Sequence, residues 1–237
     1  MVYRYRAGTG PAPEEQGARD RILDAAVRLF GQRGFATTTL KTVAAEAGVS
    51  APLVVHHFGS KDGLRAACDA EVAGVFRTLK SDAVSRGSSL TMFEILVQFQ
   101  QSRPLLHYLL QSIRDGGSQM DELVDQLVED SLVYTADAEA RGLVRPSLHP
   151  RHRAVMLLLM SFGALSMHEQ MKRLMGVSPI EDPPEAWGPY VASVSEIFLY
   201  GVLRPEAYEE LVALIEHHRD PDLPTTRPHT AGEESLP

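Results

Sequence analysis

Cysteine is all but absent from this sequence. Cys68 stands alone, so no internal disulfide can form, and such usage fits a reducing compartment. Long apolar runs are missing too. The longest uncharged apolar stretch, Ala154 to Met167, falls short of the roughly 20 residues a membrane-spanning helix needs and reads as a buried helix, so no membrane partner is expected. No basic start followed by an apolar core and a small-residue cleavage site is found, so no secretory signal is expected and the cytoplasm is the expected location. Alternating strand patterns never persist beyond a few residues, and no internal repeat appears.

Signatures of catalysis are equally scarce. There is no nucleophile elbow, no phosphate-cradling glycine loop, and no His-x-x-x-His or Cys/His metal spacing. His149 and His152 form an i, i+3 pair across a helix start, and His168-Glu169 has no second histidine four residues on. Both read as surface features. No catalytic residue, metal or cofactor is assigned, and the chain is expected not to be an enzyme.

What is present is helix-forming pattern and an uneven charge. Of 237 residues, 44% are apolar, enough for a sizeable core. The net charge of −8 argues against nucleic acid only as a sum. Through residue 65 stand nine basic residues (Arg4, Arg6, Arg19, Arg21, Arg28, Arg33, Lys41, Lys61, Arg65) and six acids (Glu14, Glu15, Asp20, Asp24, Glu46, Asp62), so this part is +3 and the remainder −11. A mildly basic head on an acidic body can meet phosphate without the whole protein adhering to DNA.

The periodicity predicts an all-α fold in two parts. Residues 1–15 read as a loose arm, 16–76 as a three-helix head carried on a fourth helix, 77–219 as a helical body, and 220–237 as a Pro-rich disordered tail. In the head, a first helix over 19–33 aligns Ile22, Leu23, Ala26, Leu29 and Phe30, and Gly34 stops it. Thr39 caps a second helix over 40–47, Gly48-Val49-Ser50 supplies a turn, and Ser50 caps a third over 51–58 with Pro52 in its first turn. Gly59-Ser60 caps the fourth, over 61–80. Further helices are expected at 90–101, 104–114, 118–142, 149–175, 185–203 and 205–218, with Arg103-Pro104, Arg145-Pro146 and Pro179–Pro184 as breaks.

Cap, apolar inner face, glycine turn, cap and short helix over 39–58 are the parts of a helix-turn-helix, whose second helix enters the major groove. The stretch TTTLKTVAAEAGVSAPLVVHHFGSKDGL, preceded by RDRILDAAVRLFGQRGF, closely resembles the DNA-binding head of the tetracycline-repressor (TetR) family. Phe30, Gly34, Phe35, Thr39, Val43, Ala44, Ala47, Gly48, Val49, Ser50, His57, Phe58, Ser60, Lys61 and Leu64 carry the resemblance, which spans about residues 16–76. It implies that Ser50, Ala51, Pro52, Leu53 and Val55 face base edges or nearby sugars. Thr39, Lys41, His57 and Lys61 would hold phosphates, and His56 would either touch a phosphate or pack against the fourth helix. Val54 and Phe58 belong to the core. The family usually has tyrosine where this chain has Val55. Valine offers only apolar contact, so the reading face is expected to sense thymine methyls and DNA shape more than guanine edges.

For the body, the resemblance implies a homodimer on a near-palindromic operator in double-stranded DNA, and a small-molecule effector pocket. The run AVMLLLMSFGALSM and the later helix with Val191, Val194, Phe198, Gly201 and Val202 are the candidate pairing helices. Phe76, Phe93, Phe99, His107, Tyr108, Tyr134, Met156 and Met160 are the candidate pocket lining, a mixture suited to a lipophilic or aromatic effector. The expected function is therefore a transcriptional regulator, most simply a repressor released by its effector. An enzyme and a protein-binding helical adaptor are the competing classes, and salt-dependent DNA binding separates them from it.

Overall fold

The computed structural model describes residues 17–87 and 103–219, and these form helices and turns with no strand. The expected helix at 90–101, with Phe93 and Phe99, lies outside the described residues, as do the arm and the tail. Helix α1 spans Ala18–Arg33, α2 Leu40–Ala47, α3 Ala51–Phe58 and α4 Lys61–Arg86. The body follows with α5 (Arg103–Asp115), α6 (Ser118–Ala140), α7 (Pro150–Ser166), α8 (His168–Met175), α9 (Gly188–Tyr200) and α10 (Glu209–His217), with single 3-10 turns at Pro184–Ala186 and Pro205–Ala207.

Helix α1 is the hub. The predicted stripe Ile22, Leu23, Ala26, Leu29 and Phe30 is buried, but so are Ala25 and Val27. The wider burial arises because α1 packs on α2, α3 and α4 of the head and also lies along α5 of the body. Backbones come very close there: a methyl group on Gly31 would stand 2.8 Å from the Tyr108 amide nitrogen. Tyr108 is buried beside Phe30, with ring centroids 6.5 Å apart, and its hydroxyl donates to Asp69 Oδ1 of α4 at 2.6 Å. Burial pushes the Asp69 carboxyl above its ordinary range, and burial likewise pushes the Tyr108 hydroxyl up. Cys68, next to Asp69, is fully buried, and burial raises its thiol well above the usual value.

Head and body consequently share one core, to which α4 contributes Leu64, Cys68 and Val72 and α5 contributes Leu105, Leu109 and Leu110. Farther along, α4 is tied to α6 by Arg77, whose guanidinium reaches the buried Asp130 carboxylate at 3.2 Å. Gln126 donates to the same carboxylate at 3.0 Å, so the buried charge is matched by two donors.

Three expectations need correction: His168, read as a surface feature, is buried with its Nδ1 3.3 Å from Ser178 Oγ, and the other two concern the helix boundaries and the proline-rich stretch. The helix expected over 149–175 is two helices, since the backbone at Met167, with φ −101° and ψ 25°, departs from the helical conformation between α7 and α8. A continuous apolar pattern conceals such a break because both helices keep an apolar face. The proline-rich stretch Pro179 to Pro184, expected as a mere break, is part of a packed plug. Val177, Ile180, Pro184 and Trp187 are buried. Ser178 Oγ accepts the Ile180 and Glu181 amides, Asp182 accepts the Ser178 amide at 2.7 Å, and Arg103 donates to the Ile180 carbonyl at 2.8 Å.

Close backbone approach makes two glycines sensitive. A methyl on Gly63, in the first turn of α4, would stand 2.2 Å from the Phe58 carbonyl oxygen, so α3 and α4 could not keep their angle. Gly31→Ala and Gly63→Ala should each lose roughly 1–3 kcal/mol of stability through overpacking. Gly74→Ala, whose nearest atom would be 3.7 Å away, should gain up to about 1 kcal/mol from helix propensity. Thermal unfolding of the three variants checks this, and equal melting points would remove the close-approach argument.

Candidate nucleic-acid interface

Helices α2, α3 and α4 each start at a hydroxyl cap. Thr39 Oγ1 accepts the Thr42 amide at 3.1 Å, Ser50 Oγ the Leu53 amide at 3.4 Å, and Ser60 Oγ the Gly63 amide at 3.0 Å. Each bond satisfies one of the amides a helix start leaves unpaired. Gly48, left-handed at φ 66° and ψ 37°, turns the chain between α2 and α3. Val43, Ala44 and Ala47 of α2 and Val54 of α3 then fill the space against α1. Val54 is the only fully buried residue of α3.

That single anchor decides what α3 shows to the outside. Pro52, Val55, His56 and His57 are exposed, Val55 by 46%, while Ala51 and Leu53 are half-buried. The two alternatives for His56 are resolved in favour of the surface: its ring stands edge-on to His57 at 5.5 Å and is not packed into α4. The outward face therefore offers a proline ring, a valine and two imidazoles, with the Ser50 hydroxyl at its start and its oxygen already serving as a cap.

Flanking cations complete the surface. Lys41 is exposed on α2. Lys61 does not point freely outward. Its Nζ donates to the Ala36 carbonyl at 3.2 Å and lies 4.3 Å from the centre of the Phe35 ring. This places an ammonium group beside the turn that leads into α2, where Thr39 opens the helix, and α4 begins at Lys61 itself. Cation and helix starts together favour an anion. Arg65, buried, covers Phe35 at 4.8 Å, and Arg19 lies over Phe58 at 5.5 Å. Sequence reasoning counted both arginines only as charge, because nothing local signals the aromatic ring each one meets. Arg28 pairs with Glu46 at 3.3 Å, a surface contact of little energetic weight.

Behind this surface lies the junction with the body. The Phe35 amide donates to Asp115 Oδ2 at 3.4 Å, and Gln111 donates to the same carboxylate at 2.8 Å. The last turn of α5 thus touches the turn between α1 and α2. The crevice between them, lined by Phe35, Arg65, Tyr108, Gln111 and Asp115 among others, has room for about one water, about 10 Å³.

The residues expected to line an effector pocket, apart from Phe93 and Phe99, which lie outside the described residues, differ in burial. Tyr108 is in the core at the junction, with its hydroxyl engaged by Asp69. Met156 and Met160 are more than half exposed on the outer side of α7. Phe76, His107 and Tyr134 are half-buried on α4, α5 and α6. Burial, then Arg103 and His168, holds the His107 imidazole below its ordinary pKa. Type and spacing could not separate these cases, because aromatic and methionine side chains serve core, interface and pocket alike. Among the described residues no cluster of three potential metal ligands occurs, and no helix is long and apolar enough to cross a membrane.

Comparison with known proteins agrees with this geometry. Residues 22–68 match the family of bacterial regulatory proteins of the tetR family, and residues 100–200 match the tetracyclin repressor-like C-terminal domain. The HTH-type transcriptional regulatory protein RaaS of Mycobacterium tuberculosis is 37% identical over 154 residues, covering 65% of this chain and 72% of that protein. The HTH-type transcriptional regulator BetI of Brucella anthropi is 50% identical, but over 46 residues only, 19% of this chain and 24% of the regulator. Among solved structures, the transcriptional regulator FadR from Bacillus subtilis, determined in complex with stearoyl-CoA, superposes with a TM-score of 0.54 at 16% identity over 78% of this chain and 99% of its own. The fatty acid degradation regulator FadR from Bacillus halodurans gives 0.57 at 16% identity, with 78% and 99% covered. At such identities the likeness concerns the fold. With a helix-turn-helix head, a helical body of the matching kind and a regulator as a relative over most of its length, this chain belongs to the TetR family of DNA-binding transcriptional regulators.

Proposed function

We propose that this chain is a repressor that sits as a two-fold dimer on a near-palindromic operator and leaves it when a small lipophilic or aromatic molecule binds the body. The observation that carries the reading is the outward face of α3, with Pro52, Val55 and His56 exposed between the cations Lys41 and Lys61. In this reading residues 16–76 form the DNA-binding unit and 77–219 the effector-binding and dimerisation unit. Ser50, Ala51, Pro52, Leu53 and Val55 meet bases or sugars, and Thr39, Lys41, His56, His57 and Lys61 meet phosphates.

One head covers too little DNA for selective binding, and pairing places two heads on half-sites about 34–36 Å apart. The apolar side chains that α7 and α9 leave exposed, Met156, Leu159, Met160, Ile197 and Phe198, support pairing through these helices. Met156 and Met160 accordingly belong to the dimer face and not to the pocket. Release follows if the effector binds more tightly to a body whose α4 and α5 hold the heads off that spacing. Two contacts couple body to head: Tyr108 with Asp69, and Asp115 with the Phe35 turn.

Two measurements test the interface. Lys61→Ala and His57→Ala should each weaken operator binding and lower the salt dependence by about one phosphate contact, leaving base preference unchanged. Affinity unchanged across a salt titration would count against the assigned phosphate contacts. Once selection from random DNA has given the operator, replacing each contacted thymine by deoxyuridine removes one methyl. Because a buried methyl is worth about 0.8 kcal/mol, affinity should drop about fourfold at each thymine read by Val55 or Leu53. A site dominated by guanines at every contacted position would defeat the apolar-readout proposal.

A further inference from the structure

Beyond α9 the chain continues into a segment that its own fold does not cover. Residues 201–218 are all exposed, although the segment is ordered into the 3-10 turn Pro205–Ala207 and the nine-residue helix α10. A helix this short is marginal in water and draws its stability from packing an apolar face. Leu211, Leu214 and Ile215 form such a face at helical spacing, with Leu214 and Ile215 each 52% exposed, and Tyr208 precedes it. Among the described residues, His149 Nε2 meets the Ile215 carbonyl at 3.0 Å.

We infer that residues 201–219 are an arm that clasps a second copy of this chain, seating Leu211, Leu214 and Ile215 on the apolar surface the partner subunit presents. The match to the C-terminal family domain ends at residue 200, so the arm adds to whatever α7 and α9 bury. Three observations select this occupant.

The first is continuity. The arm grows from the end of α9, where Phe198, Leu199, Tyr200 (83% exposed) and Val202 (79%) extend the proposed pairing surface without interruption. The second is charge. Glu206, Glu209 and Glu216 line an open groove with Val212 and Ala213 on another side of the arm. An acidic side turned to water repels DNA and anionic lipid, which removes both as occupants. The third is that this chain exposes apolar side chains that the pairing of α7 with α9 does not use, Met167 at 58% and Leu174 at 69%. Under two-fold symmetry each arm meets the surface the other subunit offers, so the contact closes on itself and forms two at once.

The inference rests on the dimer proposed above, and one experiment separates the two. Sedimentation equilibrium of the full chain, as wild type, as Leu211→Glu/Ile215→Glu and as Glu209→Lys, measures each dimer dissociation constant. Circular dichroism monitors helix content. These side chains are exposed in the single subunit, so the variants should fold. The wild type should be a dimer, the double variant should dissociate at least tenfold more readily with helix content retained, and Glu209→Lys should match the wild type. A double variant pairing as tightly as the wild type overturns the arm and leaves the α7 and α9 interface standing. Equal weakening by Glu209→Lys overturns it too, since charge and not the apolar face would then govern pairing. A monomeric wild type overturns both readings.

Discussion

The packing of α1 against α5 is the constraint on which the rest depends. Gly31 lets the two backbones meet, and Phe30 and Tyr108 fill the space beside that contact. Because α1 also carries the inner faces of α2 and α3, the position of the reading helix is fixed relative to the body through one helix. The alternative, a head joined only by α4, would leave its orientation to the bending of a single long helix. Here α4 is instead pinned at Asp69 by Tyr108 and at Arg77 by Asp130. Head and body therefore move, if they move, as packed elements with few arrangements open to them, which is what two-state control of DNA spacing requires.

How much of this was legible in the sequence differs from element to element. The limits of α2 and α3 were readable because Thr39, Ser50, Gly48 and Pro52 are local signals whose meaning does not depend on distant segments. The first stripe of α1 was readable for the same reason. Its second buried face was not, because Val27 and Gly31 acquire their role only when residues near Tyr108, far along the chain, come to lie against them. Tyr108 was placed in a pocket on residue type and is instead a structural link between α4 and α5. Met156 and Met160 show the converse: the apolar pattern of α7 was plain, but not which side of the helix the chain itself would cover. The plug from Val177 to Trp187 escaped because it is held by side-chain bonds of Ser178 and Asp182, which have no periodicity to detect.

The reading helix illustrates how composition limits recognition. With Val54 committed to the core and Ser50 to its cap, the outward positions between Pro52 and Val55 carry few hydrogen-bonding groups. In the proposed binding mode, discrimination comes from shape, from methyl groups and from where the flanking cations meet the backbone. Lys61 is already held beside the start of α2 by Phe35 and the Ala36 carbonyl. Ordering that side chain costs less on binding than ordering a freely moving one.

The buried thiol has a consequence for what such a regulator can sense. Many thiols respond to oxidants and electrophiles because they are exposed and ionise near neutral pH. Cys68 has neither property: it lies within the shared core, and burial keeps its proton on. Since it is the sole cysteine of the chain, no resolving partner exists within a subunit, and a disulfide to another subunit would require the core to open. Oxidation of this thiol is therefore disfavoured while the core stays closed, which shields the core shared by head and body from swings in thiol redox balance.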